Sequence, residues 1–223
     1  MILYGLSLTI FAYVVALYIS NRVKLALLNP ILLTAIMIIG VLYLSPLSYE
    51  QYEHGASLIS AILGPLVVVL AIPLYNNRHI MKKHYCAIIA GIIVGVLSSA
   101  ISVIVLGTAL GLEGSLIWSL LPKSITSPMA IEVADMIGGM RELTVVFVVF
   151  TGILGATISP LVFKLFRIKN DTAKGIGLGA SSHGIGTAKA IEISDEAGAA
   201  SSLSMIISGV ATIILAIIIE KII

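Results

Sequence analysis

Ala130-Ile131-Glu132-Val133-Ala134-Asp135 is echoed sixty residues later by Ala190-Ile191-Glu192-Ile193-Ser194-Asp195, and a glycine follows each copy at the same offset, Gly138 and Gly198. Each copy carries two carboxylates in a chain that is otherwise strongly apolar. Acidic groups at membrane depth are costly and mark functional sites. A matched pair of them points to a site assembled from two halves.

Working outward, 59% of the residues are apolar, 11% are charged, and the mean hydropathy is +1.13. A soluble domain carries about 25% charged residues to face water. The expected fold class is therefore an all-α polytopic membrane protein. Residues 1–223 read as a single transmembrane domain, with an N-terminal four-helix part at 1–106 and a C-terminal part at 107–223 holding two repeated broken-helix units. A net charge of +2 gives no reason to expect a nucleic-acid partner.

A span needs about 20 mostly apolar residues. Six stretches meet that: 3–19, 25–44, 57–75, 85–106, 142–163 and 198–219. The first carries no signal-peptide pattern and reads as a retained span. Two further stretches, 115–140 and 175–197, are apolar but interrupted by Gly, Pro, Ser, Thr and His. The count is six full spans plus two re-entrant or broken hairpins, or up to eight spans if the interrupted stretches cross.

Basic residues orient this arrangement. Arg22 and Lys24 follow the first span. Arg78, Lys82 and Lys83 follow the third, and Lys164, Arg167, Lys169 and Lys174 follow the fifth. All of these fall on the cytoplasmic side if the interrupted stretches return to the face they entered from and both termini lie outside. One full span then separates the two copies, so they insert from opposite faces. This is the pattern of an inverted repeat, which in many secondary transporters builds a substrate site near the midplane. Asn29-Pro30 and Gly64-Pro65 mark kinks in the first half, with Asn29 a gating candidate.

The densest polar stretch is Ser181-Ser182-His183-Gly184-Ile185-Gly186-Thr187, just ahead of Glu192. Gly184 and Gly186 permit close approach of a ligand to the backbone. A helix starting near Thr187, capped by its hydroxyl, would turn free N–H groups toward an anion. His183 could hold a carboxylate or pass a proton; a buried structural histidine is the plainer alternative. Upstream, Pro122-Lys123-Ser124-Ile125-Thr126-Ser127-Pro128 places Lys123, Ser124, Thr126 and Ser127 between two prolines. On the sixty-residue offset Lys123 aligns with His183 and Ser127 with Thr187. Glu132 and Glu192 read as coupling or gating groups, with a local Lys189–Glu192 ion pair as the competing explanation. Asp135 and Asp195 fit hairpin mouths.

No enzyme is expected. Ser182 and His183 are adjacent in sequence and lack a third orienting group. Gly175-Ile176-Gly177-Leu178-Gly179 lacks the strand of a dinucleotide site. The histidines at 54, 79, 84 and 183 have no metal-ligand spacing, and the single cysteine, Cys86, excludes an internal disulfide. No cofactor or metal is expected.

The Ser181–Ala188 stretch with its following Glu192 helix, and the Leu121–Ala130 segment, resemble the signatures of the LrgB/CidB family. Asn29-Pro30, Leu63-Gly64-Pro65 and the overall length are similar too. The resemblance implies a bacterial inner-membrane protein, antiholin-like or holin-like, that modulates murein hydrolase activity and autolysis beside a small LrgA/CidA-type partner. Plastid relatives are similar to glycolate/glycerate translocators, and bacterial ones are linked to pyruvate. The leading expectation is a transporter or facilitator of small monocarboxylates, with the antiholin-like regulator as alternative and a homo-oligomer as a further expected assembly.

Overall fold

The computed structural model describes residues 2–23, 30–69, 71–76, 78–83 and 85–222, and every regular element among them is helical. Lys24, Asn29 and His84 lie outside the described residues, so the gating role expected of Asn29 has no structural counterpart here. The chain divides into two units, Met1–Val69 and Leu70–Ile223. The helix ending at Ala109 belongs to the second unit, where it packs on the C-terminal helices.

The first unit holds α1 (Ile2–Val23), α2 (Pro30–Leu44) and α3 (Tyr49–Val69). Gly5, Thr9, Ala12 and Ala16 share one face of α1 at helical spacing, and the two alanines are buried. A Cβ at Gly5 would lie 2.1 Å from Tyr52 O, so α1 and α3 touch backbone to backbone there. Small residues permit that approach where apolar lipid offers helices no hydrophobic reason to associate. Thr9 Oγ1 and Tyr52 Oη, 2.9 Å apart, add a hydrogen bond across the same contact.

The second unit contains α4 (Ala71–Asn76), α5 (Arg78–Lys83), α6 (Tyr85–Ala109), α7 (Gly114–Leu120), α8 (Ser127–Ile137), α9 (Arg141–Leu165), α10 (Asp171–Ile193) and α11 (Asp195–Glu220). Four helices among the described residues are long and apolar enough to cross a membrane: Tyr4–Val23, Tyr85–Ala109, Arg141–Leu165 and Asp195–Glu220. They coincide with four of the six expected spans. Of the span expected at 25–44, residues 30–44 form the apolar α2 and residues 25–29 lie outside the described residues. Of that expected at 57–75, residues 57–69 belong to α3, which starts earlier at Tyr49, residues 71–75 belong to α4, and residue 70 lies outside the described residues.

Both interrupted stretches fold back on themselves. In α10 the helical geometry is lost at Ser182 (φ −133°, ψ 16°) and His183 (φ 41°, ψ −131°). Beyond this break the chain reverses. A Cβ at Gly186 would lie 2.3 Å from Leu178 O, whereas in an unbroken helix these positions stand about 12 Å apart along the axis. The two ends meet again at the mouth, where the Thr172 hydroxyl donates to Glu196 at the start of α11.

The other hairpin is α7, a turn over 121–126, and α8. Its mouth is closed by Ser119 Oγ, which accepts from Met140 N at 2.7 Å, and by Thr144 Oγ1, which donates to Ser119 O at 3.2 Å. This mouth sits at the N-terminal end of α9, while Lys174 and Lys189 of α10 gather with Lys164 at its C-terminal end. The two hairpins therefore enter the second unit from opposite ends.

The repeated phrase diverges for a local reason. Ser194 accepts from Ala197 N at 3.1 Å and caps α11, so the second copy breaks there. Ala134 in the first copy has no such acceptor, and α8 runs on to Gly138, a left-handed C-cap with φ 81°. Asp135 consequently lies inside a helix and Asp195 begins one.

Candidate functional site

The hairpin tips converge on α6. A Cβ at Gly95 would lie 3.7 Å from the Ala180 side chain of the α10 tip. One turn further along α6, Ser99 Oγ accepts from Lys123 Nζ at 3.0 Å and lies 3.5 Å from Ser124 Oγ at the other tip. Positions 95 and 99 are separated by about 6 Å of helix, near the middle of α6. Between the tips is an open groove of about 330 Å³, lined by Ser98, Ser99 and Ser102 of α6, Ser124 of one tip, and Gly177 and Ser181 of the other. Beneath it a cavity of about 10 Å³ is lined by Ser124, Ala180 and Ser208, among others. Ser208 Oγ is buried without a hydrogen-bond partner among the described residues.

Of the site residues expected from the sequence, Ser124 and Ser181 line this groove, and Lys123 supports its wall through Ser99. The others are placed elsewhere. His183 is 6% exposed and faces α9, with Nε2 3.1 Å from Val148 O. A carbonyl only accepts, so Nε2 carries the proton in this contact. A Cβ at Gly152 would lie 2.7 Å from that ring, and one at Gly155 would collide with Ser182 Oγ. Two glycines of α9 thus form the slot that holds the tip. The left-handed backbone of His183, strained for a residue with a side chain, is retained by this packing.

Thr187 is not the expected cap. Its Oγ1 donates to His183 O at 2.9 Å and meets Ser201 Oγ at 2.9 Å, which ties the returning half-helix to α11. Gly186 is where that half-helix touches the first, while Gly184 is exposed with open space about its Cα. Thr126 occupies the N-cap of α8 with no side-chain cap bond, followed by Ser127 and Pro128.

The acids are not buried behind the site. Ala130, Val133, Ala134 and Ile137 form the buried face of α8, which turns Glu132 and Asp135 away from the core. Glu192 is 66% exposed and paired with Lys189 Nζ at 2.7 Å. Asp135 accepts from Arg141 Nε at 2.7 Å at the hairpin mouth, and these hydrogen bonds hold its carboxyl below the usual carboxylate range. Glu132 and Glu192, expected as coupling or gating groups, thus lie on the outward faces of their helices.

Ser98, Ser99 and Ser102 were not singled out in the sequence. The available signal was three hydroxyls at one- and three-residue spacing in the middle of an otherwise apolar span. Chemically, the groove offers a run of neutral hydroxyls with one ammonium behind it. It can hold a small polar or anionic group without committing a full charge to it.

The fold and groove define a class: a helical membrane protein whose second unit carries two opposed hairpins meeting beside a hydroxyl-lined groove. The profile of the LrgB-like family matches residues 9–222, and the chain belongs to that family. It is 37% identical over 208 residues to the holin-like protein CidB of Staphylococcus aureus (strain N315), covering 93% of this chain and 91% of that one. The proteins YxaC and YwbG of Bacillus subtilis (strain 168) are 41% and 40% identical, over 91% and 94% of this chain and 88% and 93% of their own. No solved structure matches.

Proposed function

We propose that this protein carries small monocarboxylates of the glycolate, glycerate or pyruvate type across the bacterial cytoplasmic membrane, as a secondary transporter or facilitator. The observation that carries this reading is the single groove to which opposed hairpin tips contribute Ser124 and Ser181. Non-helical backbone at membrane depth is tolerated where it is buried or lines a wet cavity, and such broken helices flank midplane sites in secondary transporters. In this scheme the chain has six spans and two re-entrant hairpins related as an inverted repeat, with both termini outside. The serines of α6, Ser124 and Ser181 receive the carboxylate, Lys123 supplies the attraction, and His183, Ser182 and Thr187 position the tip.

A second reading is favoured by the name holin-like protein CidB borne by several relatives, which supports it better than it supports transport. In that reading the protein is an antiholin-like modulator of murein hydrolase activity and autolysis, acting with a small LrgA/CidA-type partner. Uptake of labelled glycolate and pyruvate into proteoliposomes separates the two. A hydrogen bond to a charged group is worth roughly 1.5–3 kcal/mol, so Ser124→Ala/Ser181→Ala should reduce uptake at least about tenfold with folding intact. Wild-type vesicles that take up neither acid would overturn the transport reading and leave the regulatory one.

A further inference from the structure

The C-terminal end of α9 carries a second concavity that solute passage does not use. Its volume is about 530 Å³, within the roughly 300–1,000 Å³ range of small-molecule sites. Lys164 from the last turn of α9, Arg167 and Lys169 from the following turn, Lys174 from the first half of α10 and Lys189 from its second half all line it. Segments separated in sequence thus bring five cations to one opening. Lys174 is paired with Asp171 and Lys189 with Glu192, while Lys164, Arg167 and Lys169 have no ion-pair partner among the described residues.

Like charges gathered this way repel one another unless an anion joins them. The backbone supplies an independent sign that the cation is wanted. Beyond α9, Ile168 N donates to Phe163 O at 2.8 Å and Arg167 N to Lys164 O at 3.3 Å, the pattern of a helix end closed by a left-handed residue. α8 places Gly138 at such a position, but α9 places Arg167 there, with φ 54°. Glycine would adopt that conformation without strain; the arginine accepts the strain and lines the cavity.

The walls identify the anion further. Pro160, Phe163 and Ile193 give the cavity an apolar side. Next to it on α9 and its end, Leu161, Leu165 and Phe166 are 67%, 71% and 70% exposed. A charged group beside an apolar strip at the end of a spanning helix matches a lipid headgroup with its acyl chains laid along the protein. We propose that this cavity binds the phosphate group of an anionic membrane lipid of the phosphatidylglycerol type. The proposal rests on the membrane location of the chain and not on solute passage, so its failure leaves the uptake prediction standing.

The test is thermal unfolding of the full chain in neutral detergent with added phosphatidylglycerol, phosphatidylcholine of the same acyl chains, or inorganic phosphate. Phosphatidylglycerol should raise the melting temperature by mass action, less so at high salt, and the other two should not. At roughly fivefold per cation near a membrane surface, Lys164→Gln/Lys169→Gln should require about 25-fold more phosphatidylglycerol for the same shift. Arg167→Gly guards against a folding artefact: without lipid it should melt no lower than wild type, yet require about fivefold more phosphatidylglycerol. Equal shifts with both lipids, or undiminished shifts in both variants, would overturn the proposal. A shift reproduced by inorganic phosphate alone would assign the cavity to a free anion and overturn the lipid source.

Discussion

Gly177→Ala and Gly179→Ala add the same methyl group to the same half-helix, two residues apart, and the structure gives them opposite signs. At Gly179 the added Cβ would lie 2.2 Å from Ser201 O and 2.9 Å from Ser201 C and Cα. Non-bonded heavy atoms settle at about 3.5 Å, so α11 must withdraw by about 1 Å. The three nearest obstructing atoms are all backbone, so no rotamer change relieves the clash. Overpacking of this kind costs about 1–3 kcal/mol, here near the upper end. Alanine returns about 0.8–1.0 kcal/mol of helix propensity, leaving a net loss of about 2 kcal/mol, or a factor of about 30 in the folding equilibrium. At Gly177 no described residue beyond the neighbouring turns of its own helix stands within 4 Å of the added methyl, so the propensity term acts alone and the variant gains up to about 1 kcal/mol. Far-UV circular dichroism of unfolding in mild detergent measures both. A Gly179→Ala protein as stable as wild type, or two variants destabilised alike, would refute the close seating of the first half of α10 on α11.

Two further outcomes follow from the hairpin mouths. Ser194→Ala removes the cap on α11 and should lower stability by about 1 kcal/mol; an unchanged melting temperature would mean that Ser194 does not hold the break in the second copy. Asp135 has a folded pKa lowered by Arg141. Its stabilising contribution is therefore complete above the unfolded carboxylate value of about 3.9 and is lost as pH falls through the lower folded value. Melting temperature followed from pH 5 to about pH 3 should fall less steeply in Arg141→Gln than in wild type, and identical slopes would exclude the pair as a contributor.

The interrupted stretches were legible because glycine, proline and clustered hydroxyls break helices by local chemistry, and both breaks fall where those residues sit. The exposed faces of Glu132 and Asp135 were legible as well, since Ala130, Val133, Ala134 and Ile137 recur at helical spacing. Thr187 reads as a cap from its neighbours in sequence, and only its bonds to His183 O and Ser201 show its hydroxyl turned back on its own half-helix and across to α11. The serines of α6 were concealed for a related reason. Ser98 and Ser102 satisfy themselves on Gly95 O and Ser98 O within the helix, and such local bonds disturb the helix too little to leave a mark in its pattern. Ser99 instead reaches across to the opposing tip.

By itself the sequence determined that this chain is helical and membrane-embedded, and where its spans are broken. Composition, period and breaker residues act locally, over a few turns of chain. Only the tertiary structure decided that both breaks are reversals entering from opposite ends, that their tips meet at one groove, and that His183 faces α9 while Ser124 and Ser181 share the opening. Those outcomes depend on glycines such as Gly152, Gly179 and Gly186, whose role is set by the backbone or side chain lying against them. No local rule names that neighbour.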